Sequence, residues 1–162
     1  MFGDLNHLAY EVGGCVRDLY LKLESYDVDY VIENTTKEQF ETVLPDAKLV
    51  GKDFPVYLVD NCEVALARQE FMREEKSDNA YTNFDVKVGV PLHHDLLRRD
   101  FTINSIAIKY DTREVIDPYN GIDDIANKVL RAVNVDAFHE DPLRIYRGAR
   151  FAARFGFSIE DN

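Results

Sequence analysis

Cysteine is scarce in this sequence. Its 162 residues include only two, Cys15 and Cys62. There is no CxxC pair, and neither cysteine has a histidine at zinc-ligand spacing. This excludes a disulfide framework and points to a reducing, cytoplasmic home. Long apolar runs are also lacking. None approaches the ~20 residues a membrane-spanning helix needs, so no membrane partner is expected, yet 46% hydrophobic residues suffice for a core. No basic segment followed by an apolar block reads as a signal peptide. Positive charge is in deficit, with 19 Lys and Arg against 30 Asp and Glu and a net charge of −11. That argues against nucleic-acid binding over a broad basic surface.

The basic charge that is present clusters. The stretch "EDPLRIYRGARFAARF" (140–155) carries Arg144, Arg147, Arg150 and Arg154. At 3.6 residues per turn these fall within about a third of a helix circumference. Ile145, Tyr146, Ala149, Ala152 and Ala153 occupy another sector, expected to pack. Four like charges on one face, with no acid between them, repel one another. A solvated face with ion pairs from elsewhere is one resolution, and an anionic ligand is the other.

Asp27 and Asp29 form the second candidate. On a strand, residues i and i+2 share a face, so the two carboxylates would sit close together and favour a hard divalent ion such as Mg²⁺. Two solvent-facing aspartates on an edge strand explain the spacing as well. Gly13 and Gly14 precede a helical pattern; such a turn lets backbone approach a phosphate, and Arg17 lies one turn in. A tight strand–helix turn is the plainer reading. Asp141 and Arg144 could form a base-reading pair. A carboxylate and a guanidinium match the amino group and ring nitrogen shared by cytosine and adenine, and mismatch uracil and guanine. "RRD" (98–100) is by itself an ordinary surface motif. His7, His93, His94 and His139 show no triad or metal spacing, and nothing marks Cys15 as a nucleophile.

Periodicity predicts strands at 8–12, 27–33 and 62–70, two more around "AKLVG" and "FPVYLVD", and a short one within 110–121. It predicts helices over 15–24, 34–44, 92–108, 122–133 and, most strongly, 141–157. Residues 73–91 read as a mobile loop. The sequence stops soon after the last helix, so a fragment of something longer is expected.

The order of these motifs is more specific than any one of them. "GGCVRD", "DVD", "EVALARQE", "RRDFTINSIA", "DPYNGIDDI" and "EDPLRIYRGARFAARFGF" together resemble the class II tRNA nucleotidyltransferase and bacterial poly(A) polymerase family, from about residue 9 to 160. "GKDFPVYLV" is more similar to the CCA-adding members.

The resemblance implies an α+β fold. A nucleotidyltransferase (polymerase-β-like) head, with a mixed, largely antiparallel sheet flanked by helices, would cover 1–138. The start of an all-helical neck would cover 139–162. It implies Mg²⁺ on Asp27 and Asp29, with Glu63 a third catalytic carboxylate. Gly13, Gly14, Arg17 and Arg99 would contact the nucleotide, Asp141 and Arg144 would read its base, and Arg147 and Arg150 would continue toward the phosphates. CTP, ATP and a tRNA 3′ end would be the partners. The implied reaction is C and A addition. Poly(A) synthesis, CC-only or A-only addition, and a nucleotide-binding module without turnover are alternatives. The chain departs from relatives in "SDNAYTNF", where glycines commonly flank the Tyr-Thr pair, and in lacking their RNA-holding body and tail.

Overall fold

The computed structural model describes residues 1–50, 55–72, 84–136, 138 and 141–160. Its centre is a seven-stranded sheet in the order β3-β4-β5-β2-β1-β8-β9. The strands are β1 (Ala9–Val12), β2 (Asp29–Ile32), β3 (Lys48–Val50), β4 (Val56–Val59), β5 (Cys62–Leu66), β8 (Ala107–Lys109) and β9 (Val115–Ile116). β2 and β5 run parallel, and every other junction in this sheet is antiparallel. The expected mixed, largely antiparallel sheet flanked by helices is therefore the one observed. The β4–β5 hairpin turns on Asp60 and Asn61, both at positive φ (48° and 66°), as a two-residue turn matching the strand twist requires.

Alternation along the central strands builds two cores. Ala9, Tyr30 and Ile32 join Phe2, Phe40, Tyr57, Val64 and Leu66 on one face. Tyr10, Val12 and Val31 point the other way, toward Val90, Leu92 and Leu96. The first face is covered by α2 (Lys37–Val43). Thr36 caps α2: its hydroxyl accepts from the Gln39 N–H at 3.3 Å, and the Gln39 side chain accepts from the Thr36 N–H at 2.8 Å. This reciprocal pair satisfies two N–H groups the helix cannot. A third core unites α1 (Gly14–Tyr20), α4 (Gly121–Asn127) and α5 (Leu143–Phe155) through Val16, Phe101, Ile103, Ile125, Leu130 and Phe151. No helix among the described residues is long and apolar enough to cross a membrane.

Several elements differ from the sequence expectation. Residues 84–88, read as loop, form β7 (Phe84–Val88), which pairs antiparallel with β6 (Arg68–Met72) as a separate ribbon. The rest of the expected mobile loop, 73–83, lies outside the described residues. The helix predicted over 92–108 breaks. α3 (Leu92–Leu97) is followed by a 3₁₀ turn, Thr102–Asn104, and then β8. Asp100 stops it by accepting from the Phe101 N–H at 2.8 Å, while Phe101 extends to bridge Ala132. The α4 helix ends at Lys128, with φ +57°, and β10 (Val129–Leu130) follows, paired parallel with β11 (Ser158–Ile159). On α5 the buried residues are Gly148 and Phe151, whereas Ile145 and Tyr146 are 59% and 74% exposed. Gly148 decides this, since a Cβ there would lie 3.0 Å from the Phe101 ring.

Candidate nucleotide site

A cavity of about 840 Å³ opens between the glycine turn, the start of β2, β6, the end of α3, and α5. It gathers nine of the predicted site residues: Gly13, Gly14, Arg17, Asp29, Arg99, Asp141, Arg144, Arg147 and Arg150. Asp27 and Glu63 do not line it. Asp27 is exposed two residues before β2, and Glu63 is paired in register with Asp29 across the parallel β2–β5 junction.

Gly13 holds φ +75°, ψ −133°, a region open essentially to glycine alone. A Cβ there would lie 3.2 Å from Arg99 Nη1 and 3.8 Å from Asp29 Oδ2. The glycine thus keeps a gap between a guanidinium and a carboxylate. Although Asp29 is an exposed residue, burial of its carboxyl and the neighbouring Glu63 push its pKa up, with Asp27 adding and Arg99 opposing. Next to it, burial raises the Cys15 thiol pKa, and its S–H donates to the Val12 carbonyl at 3.2 Å. That thiol is a poor nucleophile.

Eight arginines line the cavity, and most are held in place by specific partners. Asp95, fully buried, is the organiser. Its Oδ1 accepts from Arg98 Nε and Nη2 at 3.0 and 2.7 Å, and its Oδ2 from Arg99 Nε and Nη2 at 3.3 and 2.9 Å. Burial pushes this carboxyl up, but Arg98 and Arg99 outweigh it and hold it below its usual range. Arg68 is pushed down to about 10 by burial and by Arg98, against the pull of Glu70, which accepts from it at 3.0 Å. Arg144 donates to the carbonyls of Arg99 and Arg98 at 3.3 and 2.8 Å, at the negative end of α3. Its Nε lies 3.9 Å from Asp141 Oδ2. Arg147 Nε donates to Asp100 Oδ2 at 2.7 Å, so an acid from another element relieves part of the charge crowding on α5. Arg150 and Arg154 lie over the rings of Phe151 and Phe155 at 5.5 and 5.1 Å.

Arg17, expected at the phosphates, lines the cavity and is also engaged within the protein. It is 6% exposed and bonded to Asp18 and Asn104, and its guanidinium lies 5.2 and 4.9 Å from the ring centroids of Phe151 and Phe155, which stack on each other. Sequence reasoning missed Asp95, Asn104 and the two phenylalanines. Asp95 had a signal: it stands three and four residues before Arg98 and Arg99, the spacing at which helical side chains meet. Asn104 had none, because its partner is 87 residues away.

Residues 9–131 match the Poly A polymerase head domain family. The chain belongs to this family. The "Multifunctional CCA protein" of Haemophilus ducreyi is 46% identical over 159 residues, covering 94% of this chain and 37% of that relative. The structure of the Bacillus stearothermophilus CCA-adding enzyme in complex with CTP superposes with a TM-score of 0.77 at 30% identity, covering 98% of this chain and 40% of that one. A tRNA nucleotidyltransferase complexed with a primer tRNA and an incoming ATP analog superposes with a TM-score of 0.66 at 31% identity, covering 94% of this chain and 43% of that one. The chain therefore spans well under half the length of these relatives.

A divalent cation fits the acidic end of this head-domain site. Its donors are hard carboxylate oxygens, and burial and Glu63 disfavour the charged form of Asp29, a cost that a cation would offset. Among the described residues no group of three His, Cys, Asp or Glu side chains is arranged to hold an ion. One or two carboxylates completed by phosphate oxygens and water is the usual magnesium arrangement.

Proposed function

We propose that this chain is the catalytic head, residues 1–138, and the first part of the neck, residues 139–162, of a cytoplasmic CCA-adding tRNA nucleotidyltransferase. One observation carries the reading: a single cavity brings together Asp29, the Gly13 turn, the arginine array and the Asp141–Arg144 pair from distant parts of the sequence. Its substrates are CTP, ATP and a tRNA 3′ end.

In the proposed reaction the RNA 3′-hydroxyl attacks the α-phosphate in line. A new phosphodiester bond forms, the α–β bond breaks, and pyrophosphate leaves. Asp27 and Asp29 would hold Mg²⁺, which would supply Lewis-acid stabilisation of the developing charge; Glu63 stands beside Asp29 as a third carboxylate. Gly13 and Gly14 leave room for the phosphates. Arg99, Arg147 and Arg150 offset the triphosphate charge. Asp141 accepts from the exocyclic amino group of C or A, and Arg144 donates to the adjacent ring nitrogen.

The protein, in the full length its gene encodes, should extend a tRNA lacking its CCA end when given Mg²⁺, CTP and ATP. Failure to do so would sink this reading. The alternative within the same family is poly(A) synthesis, as the name of the matched head domain allows. Product length and composition with each nucleotide alone separate the two.

A further inference from the structure

The arginine wall of the cavity suits a triphosphate but offers a nucleobase little apolar surface. Arg147 and Arg150 line it from α5, and the Phe151 ring they lie over is only 5% exposed. The exception is the first residue of α5. Leu143 lines the cavity beside Pro142 and is 49% exposed. Among the described residues it is the one exposed large hydrophobic side chain that does so; Ile145 and Tyr146, on the same helix, do not line it. Its neighbours are the two base-reading candidates. Asp141 Oδ1 accepts from the Leu143 N–H at 3.0 Å, and Arg144, the next residue, is held by the carbonyls of Arg98 and Arg99. An acceptor and a donor are thus fixed on either side of an uncovered leucine. A nucleobase has the matching anatomy, polar along its edge and apolar on its faces.

We propose that Leu143 packs against one face of the nucleobase whose edge Asp141 and Arg144 read. The inference rests on the nucleotide-binding reading of the cavity, and it names the group that holds the base rather than the groups that identify it. Asp141 and Arg144 sort bases by hydrogen bonding. Leu143 gives any base that fits the same contact, because burial of apolar area carries no donor–acceptor pattern. A base seated on it also excludes water from the reading pair, which makes a mismatched edge costlier. The N–H that orients Asp141 belongs to the backbone of residue 143, so shortening the side chain removes the contact and keeps the orientation.

The test measures binding of CTP, ATP and inorganic tripolyphosphate by calorimetry, with Mg²⁺ and without RNA. It uses the protein in the full length its gene encodes and its Leu143→Ala and Leu143→Met variants. Leu143→Ala should weaken CTP and ATP about tenfold, the scale of about two methylene groups withdrawn from contact, and leave tripolyphosphate unchanged. Leu143→Met keeps the apolar reach and should bind all three as wild type does. Leu143 is half exposed, so thermal melts of both variants should match the wild type. Unchanged CTP and ATP binding in Leu143→Ala would overturn the inference. An equal loss for tripolyphosphate would overturn it too, since the leucine would then act by seating the α5 arginines. Absence of nucleotide binding in the wild type would instead overturn the proposed function, and the inference with it.

Discussion

Asp29 and Glu63 are paired in register across the one parallel junction of the main sheet, between β2 and β5. Residues so paired project to the same side of a sheet. Two carboxylates of like charge are thereby set on neighbouring strands, with Asp29 at the gap that Gly13 keeps open. Burial and Glu63 raise the pKa of Asp29. The fold thus sets a pair of carboxylates beside a cavity wall rich in arginine.

The first prediction concerns that cluster. A carboxyl whose folded pKa is raised favours the folded state while protonated, and this contribution is lost as pH rises through the folded value. Without metal, the contribution of Asp29 to stability should therefore fall as pH climbs out of the acid range. Mg²⁺ should restore it near neutrality and do little in acid. Asp29→Asn should melt higher than wild type at neutral pH without metal, lose the Mg²⁺ response, and transfer nucleotide more than ~100-fold more slowly, beyond the usual effect of a supporting residue. Thermal melts with Mg²⁺ or a chelator decide it. A Mg²⁺-dependent rise that persists in Asp29→Asn would show the ion is bound elsewhere.

Base choice gives the second. The carbonyls of Arg98 and Arg99 hold Arg144 beside Asp141. On the proposed function, Asp141→Ala should narrow the preference for CTP and ATP over UTP and GTP by at least ~10-fold in kcat/KM, because the carboxylate that a wrong base fails to satisfy is then gone. Lower activity with unchanged preference would remove Asp141 from base reading.

Asp95 gives the third. Arg98 and Arg99 keep its buried carboxyl ionised against the pull of burial. A depressed pKa stabilises above the unfolded value, and the contribution disappears as pH falls through the folded one. Asp95→Asn should cost about 3–5 kcal/mol at neutral pH, the range for a broken buried ion pair, and progressively less on acidification. Denaturant titrations at several pH values measure both. A pH-independent cost would mean that packing, not charge, is what the substitution disturbs.

What the sequence revealed was local. The apolar run at Tyr30, Val31 and Ile32, the helix that follows it, and the short motifs at Gly13–Gly14, Asp27–Asp29 and Asp141–Arg144 each lie within a few residues, where pattern and spacing act. What it hid was set by distant partners. The apolar spacing of Leu92, Leu96, Phe101 and Ile103 continues a helix on paper, but Asp100 and the Phe101–Ala132 bridge end it. The acid that meets Arg147 on α5, Asp100, comes from another element and could not be named from spacing. The packing face of α5 was misjudged because Gly148, which carries no side chain to register as hydrophobic, is where Phe101 seats.

Gly121 gives the last prediction. It opens α4, where Asp117 accepts from the N–H groups of Gly121 and Ile122 at 2.8 and 2.9 Å. A Cβ at this position would fall 2.2 Å from the Thr102 carbonyl oxygen and 2.9 Å from Ile106 Cγ1. The carbonyl cannot simply retreat. The Thr102 N–H donates to Arg131 O at 3.0 Å, and its hydroxyl to Asp124 Oδ2 at 2.6 Å. Relief must come from displacing α4 or the 3₁₀ turn that carries Asn104. Gly121→Ala should therefore cost about 3 kcal/mol, the upper range for overpacking a core. Gly156 is the control. It caps α5 at φ +67° with nothing within 4 Å of a built Cβ, so Gly156→Ala meets only backbone strain, about 1–2 kcal/mol. Urea titrations rank the two. If Gly121→Ala is no worse than Gly156→Ala, the contact between α4 and the 3₁₀ turn is looser than the distances require, and the seat of Asn104 with it.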